Sequence, residues 1–175
     1  MELGLSLPLH LSIHFVLAVL SGLLIGSYFK KIWLGIIAGI CGGFLIDFDH
    51  ILEYFLVFGP HFNFTYFFEG REFLLSDKTR IYFHAFEYVP VLLILAYLLR
   101  RFRLVLIFLI AFTMAGYVHL VSDCIINGYP VRTYSIYYRA SKEFKTVDIL
   151  SSEKYQNNLN LKYKLGLGFG ASAEK

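Results

Sequence analysis

The sequence predicts an all-α fold: a four-transmembrane-helix bundle made of two antiparallel hairpins. Three observations predict it. The chain is 57% hydrophobic, and its mean hydropathy of +0.60 lies well above that of an ordinary soluble domain. Three apolar stretches, Leu11–Phe29, Ile32–Phe58 and Leu104–Ile126, reach the roughly 20 residues that a bilayer crossing needs. The joints "KK" at 30–31 and "RRFR" at 100–103 are so short that the stretches they join must run antiparallel.

Leu11–Phe29 forms the first span. Glu2 and no Lys or Arg precede it, unlike the basic start of a cleaved signal peptide, so this helix is expected to be retained. Ile32–Phe58 forms the second. Gly22 and Gly26 in the first, with Gly35, Gly39 and Gly43 in the second, recur every fourth residue and allow the two backbones to approach closely in lipid. Phe83–Leu99 is long enough for a third span when its polar start is counted, and Leu104–Ile126 gives the fourth. Residues 59–83, rich in Phe and Tyr, suit an aromatic loop at the membrane–water interface. After the turn "NGYP" at 127–130 comes a tail. Residues 1–130 are thus expected to form the embedded domain and 131–175 an extramembrane tail with a mobile last ten residues.

The net charge is +3 and the basic residues are scattered, which argues against a nucleic-acid partner. The lipid bilayer is the expected partner. Cys41 and Cys124 lie inside predicted spans in no CxxC pattern and read as packing residues, even though Cys124 adjoins Asp123. Glu2 before the first span and Lys30–Lys31 after it favour an outside amino terminus and cytoplasmic basic turns in a multi-pass protein of the cell or inner membrane.

Polar residues inside these spans are costly and call for a role. Each predicted helix carries two potential metal ligands at a spacing of three or four residues: His10 and His14, Asp47 and His50, His84 and Glu87, His119 and Asp123. Such spacing sets both members of a pair on one helix face. Depth can be counted from the basic turns: Lys30 minus His14, Asp47 minus Lys31, Arg100 minus His84 and His119 minus Arg103 are each 16 residues. At 1.5 Å per residue, the four lie in one layer about 24 Å from the turns. A lone His or Asp in a membrane helix more often bonds to a neighbouring helix than to an ion, but four pairs at one depth favour the metal reading. His10 precedes the apolar run, which leaves its part as a ligand open, and His61 in the aromatic loop reads as surface. Asp49 is out of phase with Asp47 by about 200 degrees in a continuous helix, so either the helix distorts there or Asp49 stands behind the ligands.

Imidazole and carboxylate without thiolate suit zinc, manganese or iron, with zinc expected first, as one or two ions. Inward His and carboxylate pairs in a four-helix bundle are a known way to hold two metals. A metal-bound water loses a proton near neutral pH, and a nearby carboxylate can take it, so hydrolysis is the chemistry expected.

"IDFDH" at 46–50, "HAFE" at 84–87 and "GYVHLVSD" at 116–123 resemble motifs of the YdjM-like membrane-bound, metal-dependent hydrolases, over roughly residues 10 to 130. The resemblance implies functional roles for His14, Asp47, Asp49, His50, His84, His119 and Asp123. Ile46 stands where that family often has proline, and "HAFE" lacks the longer HRGxTHS form. The HxxxD spacing is also similar, more distantly, to zinc-dependent phospholipase C.

The expected function is an integral membrane metal-dependent hydrolase acting on an amphiphilic or phosphoester substrate. Its metal ligands would be His14, Asp47, His50, His84, His119 and Asp123, with Glu87 or Asp49 as general base. The alternative is a non-catalytic membrane protein that binds, transports or senses metal. A b-type haem protein is a third reading, which the matched carboxylates disfavour.

Overall fold

The computed structural model describes residues 7–167, and every regular element among them is helical. The described residues divide into two compact units: 7–48 with Phe83–Ile136, and Asp49–Tyr82 with 137–167.

The first unit opens with helix α1, Leu7–Tyr28. Pro8 sits in its first turn, where the missing N–H has no intrahelical partner to lose. A turn at Lys30, with φ of 57°, reverses the chain into α2, Ile32–Phe44. A Cβ placed on Gly35 would meet Gly26, one on Gly39 would lie 2.8 Å from the Gly22 Cα, and one on Gly43 would lie 2.6 Å from the Ala18 Cβ. Positions later in α2 thus meet earlier ones in α1, which makes the pair antiparallel with its backbones in direct contact. Such close approach is what small residues supply in lipid, where helices gain no hydrophobic force from one another. Gly42, on another face of α2, plays the same part against Phe112 of α7, Arg103–Ile126. Helix α6, Tyr88–Leu98, packs on α7.

Three stretches are long and apolar enough to cross a membrane: Pro8–Tyr28, Ile32–Phe58 and Arg103–Ile126. One expectation needs correction. Of Phe83–Leu99 only α6 is helical, and its 11 residues extend about 16 Å against a hydrocarbon core of about 30 Å. Pro90 supplies the reason, because proline is tolerated in a helix's first turn but blocks it farther in, so a helix holding Pro90 cannot begin as far back as Phe83. His84 and Glu87 therefore do not share a helix face. Within Ile32–Phe58 the helix distorts next to Asp49, one of the two alternatives its phase left open: a 3-10 turn at Leu45–Asp47 separates α2 from α3, Phe48–Phe58.

The second unit joins α3, α4 (Phe64–Phe68) and α5 (Arg71–Ser76) to α8 (Ile136–Ser141), α9 (Thr146–Ile149) and α10 (Ser152–Lys164). Tyr54, 1% exposed, gathers Phe58, Phe62 and Phe67 around its ring. Its hydroxyl accepts a hydrogen bond from the Asn63 amide at 2.8 Å. Thr79 N donates to the Phe144 carbonyl and Thr146 N to the Asp77 carbonyl, so the segments at 77–79 and 144–146 are tied together. The buried Glu53 accepts from Arg80 Nη2 at 2.8 Å and from Ser76 Oγ at 3.1 Å. Of the last ten residues, expected to be mobile, those from 168 onward lie outside the described residues.

Candidate metal centre

The first unit brings six of the sequence's candidate ligands together: His10 and His14 from α1, Asp47 from the 3-10 turn, His84 from the irregular segment before α6, and His119 and Asp123 from α7. Asp123 lies at the middle. Its Oδ1 is 3.3 Å from His10 Nε2 and 3.1 Å from His14 Nε2, while its Oδ2 is 3.5 Å from His84 Nε2 and 3.4 Å from His119 Nε2. Asp47 Oδ1 faces the same two imidazoles, 3.3 Å from His84 Nε2 and 3.5 Å from His119 Nε2. Asp123 therefore divides the histidines into two pairs, one per carboxylate oxygen. The rings are packed as well, with His14 stacked on His119 at 3.9 Å between centroids. His14, His84 and His119 are each 2% exposed and Asp123 4%, whereas the side chains of His10 and Asp47 are 22% and 30% exposed. The centre is buried with its open side at these two residues.

The donor atoms fit an ion on two counts. Ligand atoms about 2.1 Å from a tetrahedral metal lie about 3.4 Å from one another, which matches the 3.1–3.5 Å separations between carboxylate oxygens and imidazole nitrogens. His119 Nε2 is buried with no hydrogen-bond partner among the described residues, and a buried polar atom left so costs about 1–3 kcal/mol. An ion coordinated by its lone pair removes that cost. The 2.6 Å between His10 Nε2 and His14 Nε2 is the exception: those two nitrogens would have to part to ligate one ion.

Sequence reasoning missed Ser122. Its hydroxyl donates to the His119 carbonyl at 2.8 Å, so its oxygen is left to accept from His14 Nδ1 at 3.2 Å. That fixes the His14 proton on Nδ1 and turns the Nε2 lone pair toward Asp123, the arrangement found behind metal-bound imidazoles. The signal was present in "HLVSD", where Ser122 sits three residues after His119, but a serine in an apolar helix more often bonds its own backbone.

Tyr134, also missed, ends the 3-10 turn Val131–Tyr134. Its carbonyl accepts from Phe86 N at 3.0 Å, which holds the irregular segment that carries His84. Burial, with the Asp123 charge adding to it, pushes the Tyr134 pKa up, so the phenol stays neutral.

Glu87 precedes α6, and its Oε1 accepts a short hydrogen bond from Ser135 Oγ. Asp49 and His50 belong to the second unit, where Asp49 is fully buried and the His50 ring meets Phe73 edge-on at 5.4 Å. His61 is exposed, as expected. Compared with family models, curated proteins and solved structures, the chain matches none.

Proposed function

We propose that the protein is an integral membrane, metal-dependent hydrolase with a two-ion centre, in which Asp123 bridges a site of His10 and His14 and a site of Asp47, His84 and His119. The observation that supports it is the Asp123 carboxylate with one oxygen toward each histidine pair. We further propose that α6 and the segment before it complete a fourth crossing beside the three long helices. Ions held there, most simply zinc, would supply a polarised water and charge stabilisation. The chain's own part is to hold and orient. Ser122 fixes the tautomer of His14, and the Asp47 carboxylate faces His84 and His119 at the exposed side. Glu87, in the unit that carries the centre, takes the proton of the attacking water, held in place by Ser135. An amphiphilic phosphoester suits a site in helices that are apolar enough to lie in lipid.

The test is Glu87→Gln in the detergent-purified chain, screened against phosphoesters and lipids. The expected result is metal content near wild type with turnover lower by about 100-fold or more. Unchanged turnover removes Glu87 as the base, and lost metal makes it a ligand.

The burial of three of the four histidines favours a second reading, a carrier or sensor whose ion no substrate reaches. That reading expects rapid metal exchange with a chelator and no turnover in any screen.

A further inference from the structure

Tyr134 is 2% exposed, and its ring centroid lies 6.3 Å from that of His84. Its hydroxyl oxygen accepts from Asn127 Nδ2 at 3.1 Å. Asn127 follows Asp123 by four residues, and its backbone N–H donates to the Asp123 carbonyl at 2.9 Å. Asn127 and Asp123 therefore project from one face of the α7 carboxyl end, and the Tyr134 hydroxyl is held one turn beyond the carboxylate that organises the metal centre. A phenol has one proton to give and a lone pair to receive with. Asn127 occupies the lone pair, and no acceptor among the described residues takes the proton.

Resting on the metal-centre reading, we propose that Tyr134 donates its hydroxyl proton in a hydrogen bond to a phosphoryl oxygen of the ligand bound at the centre. The chemistry suits the place. A neutral donor adds no charge to a buried site, and the hydrogen bond that the Asn127 side chain donates to the hydroxyl oxygen aims it. The phosphoryl group can belong to a free phosphate or to a lipid headgroup, and both present the same oxygen to the tyrosine. Tyr134 is thus a ligand-recognition residue supplied by the segment after α7.

The test uses the full chain purified in detergent and loaded with Co2+, whose visible absorption reports ligands entering the metal site. Inorganic phosphate and a short-chain phosphatidic acid are titrated separately into wild type and Tyr134→Phe. The expected result is equal cobalt content, with phosphate binding weaker by about 10-fold in the variant, as for loss of one hydrogen bond to a charged group. Weaker binding of both probes supports the proposal. Weakening with phosphatidic acid alone supports it with a lipid headgroup as the source, and equal affinity for both overturns it. Should Tyr134→Phe not fold, 3-fluorotyrosine placed at position 134 keeps the hydroxyl and reports directly. Its 19F signal is expected to move on phosphate addition, and a still signal beside a responding cobalt spectrum overturns the proposal. A wild-type chain that takes up no cobalt overturns the metal reading and this proposal with it, whereas cobalt uptake with no tyrosine effect overturns this proposal alone.

Discussion

An imidazole binds a metal only through a nitrogen that carries no proton, and at His14 Ser122 enforces that condition. The hydroxyl gives its one proton to the His119 carbonyl and can only accept from His14 Nδ1. Ser122→Ala removes the constraint without changing the ligand set. Its metal affinity is expected to fall by 10–100-fold, read by competition with a chromogenic chelator, while Ser122→Thr, which restores a hydroxyl, stays near wild type. Equal affinity in Ser122→Ala would show that the His14 tautomer is set by something else. At this scale the sequence was informative about the candidate ligands that gather in the centre and silent about what aims them. His14, Asp47, His84, His119 and Asp123 announce themselves because each is costly in an apolar segment. Ser122 and Tyr134 do not, since a serine or tyrosine in such a segment has many ordinary uses.

At the scale of the element, glycines bring the candidate ligands within reach of one another. Gly39 lets α2 lie against α1, which sets the helix carrying His14 beside the one leading to Asp47. A leucine there must displace the Ala18 and Gly22 backbone. Gly39→Leu is expected to destabilise by about 1–3 kcal/mol or more and to lower metal content with it, read by thermal melts in detergent and metal analysis. Gly116→Ala is the control, because the added carbon would meet only the Gly42 carbonyl at 3.5 Å, an ordinary contact. It should change stability by less than about 0.5 kcal/mol. The repeat of Gly at every fourth position was legible in the sequence, and the structure uses it as expected. The helix breaks were only half legible. Pro90 in "HAFEYVP" marks where α6 must start, yet an apolar run does not distinguish an α-helix from the 3-10 turn at Leu45–Asp47. His84 nonetheless lies 3.3 Å from Asp47 and 3.5 Å from Asp123, although the continuous helix that the depth count assumed is absent.

At the scale of the whole molecule, the division into two units reflects packing and not chain order. Residues 49–82 and 137–167 fold together, a pairing invisible to local pattern because it depends on contacts such as Thr79 to Phe144 across the sequence. The second unit carries its own pH dependence. Glu72 is 1% exposed, and burial, with the charge of Glu53 adding to it, pushes its carboxyl up to about 7 from the usual 4.5. Below pH 4.5 the folded and unfolded chains both hold this proton. Between 4.5 and 7 only the folded chain does, so stability falls as pH rises through that window and levels off above it. The loss expected from this group is about 2–3 kcal/mol. Glu72→Gln should remove most of that slope, measured as unfolding free energy at pH 5 and pH 8. An unchanged slope would assign it to other groups.

The central claim is that Asp123 joins two histidine pairs into one metal centre, and metal occupancy per chain tests it most directly. Elemental analysis of the detergent-purified wild type is expected to give about two transition-metal ions per chain. Asp123→Ala should lose nearly all metal, because both sites share that carboxylate, while His10→Ala should lose about one ion and keep the other on Asp47, His84 and His119. A folded Asp123→Ala chain that retains the full wild-type occupancy would contradict the account.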